Sequence, residues 1–287
     1  MPAWALKSLE GLDVRLNLER RKLFAVTSIA ALMSLICCSP GWTYPGGPRQ
    51  DVTDVAPFCA DCHASVSADQ LRGLPPQVAA QETVSAHLDA IKAGQGNYAK
   101  LTPEQRTKLI ADVQEMDQNA EVTIKAPGAV RAGHDFDVVV VTKGGAGPTN
   151  GIMLLDSNVR HQARPAPSEG FLLVAPPKVI GPDGKPQEAW VSKRVDGLSR
   201  NIEFVLVFGV SADLAAHKFA SSEVTYRVKA PTQPGKYTLT AAFLYGTESA
   251  SPVGHTTAMG GHMPIGGFTS HSGRVRFSEL KTITVSR

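Results

Sequence analysis

The chain has 287 residues, 43% of them hydrophobic and 19% charged, which is the composition of a folded protein and excludes a disordered one. Its 29 basic residues stand against 26 acidic ones, and a formal net charge of +3 is too balanced for a partner held through phosphates, so nucleic acid is not an expected partner. The length allows two modest domains, and four cysteines allow a specialised site without a disulfide framework.

Residues 1–41 read as a secretory leader. Arg20-Arg21-Lys22 precedes the apolar run 23–38, which is too short for a comfortable transmembrane helix. Ser39 and Gly41 are small residues suited to cleavage before Trp42, and the alternative is an uncleaved anchor, which is the only route to a membrane. Both alternatives place the remainder outside the cytoplasm, in a periplasm or the extracellular space. Leu35-Ile36-Cys37-Cys38 lacks the small residue expected before an acylated cysteine, so lipidation is not expected. Loss of the leader removes Cys37 and Cys38 and leaves Cys59 and Cys62 as the only thiols.

Residues 42–58 are rich in Pro and Gly and predict an extended linker. Three helical segments follow. One runs over 59–72 from the cysteine pair. A second is opened by Pro75-Pro76 and closed by Gly94, with Val84, His87, Leu88 and Ile91 on its apolar face. The third has Thr102 as N-cap and Pro103 at its first position, and Leu109, Ile110, Val113 and Met116 recur at helical spacing before Asn119. Together they predict a small helical module over 42–120, with an excess of acidic side chains.

From Val122 the period changes to short β-branched and apolar runs at 122–124, 136–141, 152–155, 171–174, 202–210, 224–228, 237–244, 275–277 and 282–285. No helix intervenes, so 121–287 predicts an antiparallel β-sandwich, and the whole chain an α+β protein. The segment from Ala230-Pro231 through Pro234-Gly235-Lys236-Tyr237 resembles the turn-into-strand of immunoglobulin-like domains, and the absence of their cysteine pair makes a fibronectin-like or reelin-like variant the better analogy.

The chemistry concentrates at Cys59-Ala60-Asp61-Cys62-His63. Each thiolate of such a pair can add across one haem vinyl group, and a histidine next to the second cysteine is held under the iron. A zinc site would need about four ligands, a thioredoxin-like motif would need a βαβ context, and a plain disulfide would leave the histidine without a role. The pentad resembles the attachment site of c-type cytochromes. That resemblance implies one covalent haem c, thioether bonds from Cys59 and Cys62, and His63 as proximal iron ligand. For the distal position the candidates are His87, with Met116 as alternative, while Met263-Pro264 lies far away in the β part. A histidine or methionine on an apolar stripe is also a common packing residue.

A second unusual stretch spans 255–271, where His255, Met259, His262, Met263 and His271 alternate with glycines in an expected loop. Imidazole and thioether together suit copper, and the other reading is a mobile loop over the haem or a partner. No hydrolase signature is present. The expected function is electron transfer to or from an extracytoplasmic redox protein, as an electron carrier more than a catalyst. Haem-based sensing of a small ligand is the rival, as is a haem subunit, oligomeric or in an oxidoreductase complex, with the sandwich as docking surface.

Overall fold

The chain enters the described part of the computed structural model, residues 64–158, 163–188, 204–258, 261–266 and 272–287, as a strand and not as the helix expected over 59–72. These residues belong to one compact unit, and the expected leader 1–41, the linker 42–58 and the motif 59–63 lie outside the described residues. Strand β1 (Ala64–Ser65) is followed by a single 3-10 turn, Ala68–Leu71. The second expected helix is two helices, α1 (Pro76–Glu82) and α2 (Val84–Ala93). They part at Thr83, which is extended because Val66 N–H donates to the Glu82 carbonyl at 2.9 Å and Val66 bridges Thr83. Helix α2 closes at Gly94, in the left-handed conformation as a C-terminal cap requires. Helix α3 (Pro103–Gln118) starts where the sequence places it: the Thr102 hydroxyl accepts from Gln105 N–H and the Gln105 side chain accepts from Thr102 N–H.

The strands that follow are β2 (Glu121–Lys125), β3 (Ala129–Arg131), β4 (Asp135–Lys143), β5 (Ala146–Leu155), β6 (Leu172–Leu173), β7 (Lys178–Ile180), β8 (Pro186–Gln187) and β9 (Phe204–Phe208). Then come β10 (Ala212–Asp213), β11 (Lys218–Phe219), β12 (Ser221–Lys229), β13 (Gly235–Gly246), β14 (His255–Ala258), β15 (Gly261–Pro264), β16 (Gly273–Phe277) and β17 (Lys281–Ser286). They form the expected β-sandwich. The smaller sheet runs β2–β4–β12–β7–β8 with β6 beside β12. The larger is centred on β13, with β5 and then β9 on one side and β16 and β17 along the other. Two parallel additions extend it, β1 on β16 and β3 on β17.

Burial follows from this layering. Val138, Val140, Val224, Tyr226 and Val228 of the smaller sheet face Ile152, Leu154, Val205, Val207, Ala241 and Phe243 of the larger, forming the inter-sheet core. The outward face of the larger sheet carries a second apolar layer, in which Met153, Phe204, Leu206, Leu244 and Val275 are covered by Ala64, Val66, Leu71, Leu74 and Ala79. A third cluster joins α2 and α3 to the β14–β15 region through Ile91, Leu109, Val113 and Ile265.

These clusters do not set the described helical residues apart as a separate module. Met116 and Ala120 lie in the inter-sheet core and residues 64–79 coat the larger sheet, while Ala90, Ile91, Tyr98, Leu109 and Val113 of the described helical part gather around Ile265, so the helical part shares its apolar packing with the sandwich. A three-helix segment of this size buries too little apolar surface alone, and the sandwich supplies the missing face.

Candidate functional site

Cys59, Cys62 and His63 lie outside the described residues, but the chain immediately after them is tightly placed. Ala64 is fully buried, pairs in parallel with Gly273 and also bridges Ser272. Ser65 pairs with Arg274.

His87 lies on α2 and is fully buried. The Arg274 Nη2 group lies 2.9 Å from His87 Nδ1, and because a guanidinium only donates, Nδ1 is the acceptor and the proton sits on Nε2. Nε2–H then donates to Glu248 Oε1 at 2.8 Å, and the Tyr98 hydroxyl donates to the same oxygen at 2.7 Å. The Thr247 hydroxyl lies between Glu248 Oε2, at 2.7 Å, and the Ser272 carbonyl, at 2.5 Å, with one proton for the two. Burial lowers the His87 pKa, against the upward pull of Glu248 and with the Arg274 guanidinium adding to the depression. Burial alone would raise the Glu248 carboxyl, but the facing His87 and the hydrogen bonds donated to the carboxylate outweigh it and hold it below the usual range.

Arg274, 2% exposed, is the hub. Its Nε donates to both carboxylate oxygens of Asp117 at 3.1 and 3.0 Å, and its Nη1 donates to Ser65 Oγ at 3.3 Å and to the Gly273 carbonyl at 3.1 Å. Asp117 also accepts from the Tyr245 hydroxyl, and Arg276 donates to Tyr245 and to the Asp117 carbonyl. Two carboxylates thus face two guanidiniums with a neutral histidine between them, so the buried charges are paired and hydrogen-bonded as burial demands. Glycines let the chain close over the cluster. A Cβ on Gly266 would come within 2.5 Å of Glu248 Oε1, and one on Gly254 within 2.1 Å of the Glu248 carbonyl.

Of the two distal-ligand candidates, His87 therefore has both ring nitrogens bonded to protein groups. Met116 is fully buried in the inter-sheet core. The stretch 255–271, expected as a loop, contains the hairpin β14–β15. His255 and His262 share one face of it, their ring centroids 6.3 Å apart, whereas Met263 is the cross-strand partner of Thr256 and takes the other face. Met259 and His271 lie outside the described residues. Among the described residues no group of three or more His, Cys, Asp or Glu is placed to hold a metal, and no helix is long and apolar enough to cross a membrane. His255 also borders an open cleft lined by Lys108, Asp112, Glu115, Asp213 and Ser251.

Sequence reasoning missed Tyr98, Asp117, Glu248 and Arg274. The one available signal was charge inside apolar strands, since Arg274 and Arg276 flank Val275 in a run otherwise read as core. No family model matches the chain, and no curated protein matches it. Among solved structures it is similar to a CARDB domain from Pyrococcus furiosus described in complex with di-metal ions, at 11% identity and TM-score 0.24, covering 59% of this chain and 90% of that one. It is also similar to a PapD-like domain of human CEP192, at 12% identity and TM-score 0.22, covering 59% and 87%. The C-terminal domain of the Streptococcus agalactiae antigen I/II polypeptide BspA matches at 13% identity and TM-score 0.29, covering 58% and 50%. At these values the likeness identifies no family and no function.

Proposed function

We propose that this chain is an exported electron carrier with one covalent haem c, bound by thioether bonds from Cys59 and Cys62 and by His63 at the iron, exchanging electrons with an extracytoplasmic protein partner. The observation that carries the reading is the pentad 59–63, with two thiols at the spacing of the porphyrin vinyl groups, an adjacent imidazole, and no other cysteine after residue 41. The donor set fits haem c and fits zinc poorly.

Bound there, haem supplies a reversible one-electron couple. The chain's own contribution is rigidity and environment. Ala64 and Ser65, directly after the proposed iron ligand in sequence, are fixed by pairing to β16. Beside them lie the apolar layer of Val66, Leu71 and Val275, which excludes water, and the charged cluster around Arg274.

A pyridine haemochrome spectrum with intact-mass analysis after acid-acetone extraction tests the reading. Haem retained as a mass adduct on the chain is the expected result, and haem that washes out overturns it. A second reading, small-ligand sensing at an open sixth iron position, is favoured by the bonding of His87 and the burial of Met116 in the sandwich core. A five-coordinate ferrous form that takes up carbon monoxide quickly supports it, and a six-coordinate low-spin form in both oxidation states supports the carrier. With His87 bound to Glu248 and Arg274, His87→Gln leaves the spin state unchanged, and conversion to a high-spin form would return His87 to the iron.

A further inference from the structure

The β14–β15 hairpin brings together two histidines that the haem reading does not use. In its antiparallel register Thr257 faces His262 and His255 faces Pro264, so His255 and His262 are diagonal neighbours on one face, with ring centroids 6.3 Å apart and ring planes inclined at 76°. His262 is exposed and His255 half-buried, and neither ring makes a hydrogen bond to another described residue. Core packing and polar satisfaction, the usual reasons for a histidine in a fold, therefore do not account for them. An ion held by one nitrogen of each imidazole at about 2.0–2.1 Å leaves the two ring centroids at most roughly 6.5 Å apart, and the last torsion of a histidine side chain is broad. The two rings thus stand within reach of one ion. Charge nearby suits a cation, because the cleft that His255 borders is lined by the carboxylates of Asp112, Glu115 and Asp213 against the single ammonium of Lys108.

We propose that His255 and His262 form a binding site for one divalent transition-metal ion, with copper(II) the best fit. Neutral imidazole suits copper, nickel and zinc, and copper(II) stands highest among the first-row divalent ions at such donors. A pair of imidazoles offers nothing to oxygen-seeking calcium or magnesium. Two protein ligands leave the remaining positions to water, so the bound ion is exchangeable, unlike one closed in by four protein ligands. The hairpin register supplies the chelate: held on one face, the second imidazole meets an ion already bound to the first at high effective concentration. The site is independent of the haem reading.

The test is calorimetric titration of the full chain with copper(II), after alkylation of any free thiol so that Cys59 and Cys62 do not compete, with electron paramagnetic resonance of the bound ion. The wild type is expected to bind copper(II) through two imidazole nitrogens, undisturbed by excess magnesium. Removing either imidazole removes the chelate, so His255→Ala and His262→Ala should each weaken binding by about tenfold or more. Exchanging neighbours, His255→Thr with Thr256→His, keeps the composition and moves one imidazole to the opposite face of the hairpin, and this variant should bind as weakly as His255→Ala. Wild-type affinity in either single variant or in the exchange overturns the proposal, as does a wild type that takes up no copper(II). If a variant fails to fold by circular dichroism, the nitrogen count of the wild-type spectrum decides: two coordinated imidazoles support the site, and one or none overturns it.

Discussion

Strands β4 and β12 of the smaller sheet alternate buried and less buried residues along their length, whereas β5 and β13 of the larger sheet are buried almost without interruption over Asn150 to Leu155 and Leu239 to Gly246. Both pairs are antiparallel and rich in apolar residues, so the difference lies in what covers them. One face of the smaller sheet meets water. The larger sheet is covered on both faces, inside by its partner sheet and outside by residues 64–79. A doubly covered sheet leaves no solvent for polar groups at its end, which is why Arg274, Asp117, Glu248 and His87 satisfy one another there. The cysteine motif leads directly into that covering segment.

The largest way to break this comparison is to remove one member of the buried cluster. Glu248→Ala leaves the His87 Nε2–H and the Tyr98 hydroxyl without their acceptor and removes one of the cluster's two carboxylates, and is expected to cost roughly 3–5 kcal/mol of unfolding free energy by urea titration. A loss under about 1 kcal/mol would mean that water enters this end of the larger sheet as freely as it reaches the smaller one.

A matched substitution on the outward faces sharpens the contrast. Val275→Thr buries a hydroxyl in the apolar layer of the larger sheet and is expected to cost about 1–3 kcal/mol. Val141→Thr places the same hydroxyl on the half-exposed face of β4 and should change stability by no more than about 0.5 kcal/mol. Equal losses in chemical denaturation would show the two faces to be equally dry.

The last expected effect is in pH. The His87 pKa is depressed in the folded state, so the unfolded chain binds more protons once pH falls below its ordinary value near 6.5. Stability is therefore complete above that value and declines as pH falls toward the folded-state value, by at most about 1.4 kcal/mol per pH unit for one group. Glu248, also depressed, adds a loss below its ordinary value of 4.5 as pH falls through its folded-state value. In His87→Gln the amide can donate to Glu248 and accept from Arg274 without titrating, so the part of the decline between about pH 6.5 and 4.5 should vanish. A decline that persists there would assign it to other groups.

Local patterns carried much of the fold. The capping residues of α3, the closure of α2 at Gly94 and the strands β4, β12, β13 and β17 could be read from periodicity and turn chemistry, because each is decided by residues within a few positions of one another. The break at Thr83 could not, since it depends on a hydrogen bond from Val66, 17 positions earlier. The β14–β15 hairpin was hidden for a different reason: its glycines read as loop, while two of the neighbouring ones, Gly254 and Gly266, are needed for close approach to Glu248.

The sequence by itself determined the sandwich, the helix boundaries set by caps, and the Cys59–His63 motif on which the functional proposal stands, because these are short-range patterns of residue type. Tertiary structure alone decided that the helices share the sandwich's core, that Met116 packs between the sheets, and that His87 is bonded through both nitrogens to Glu248 and Arg274. Those partners lie 161 and 187 positions away from His87. A buried histidine has the same local sequence whatever it bonds, and only the tertiary fold decides which distant acceptor and donor come within hydrogen-bonding distance.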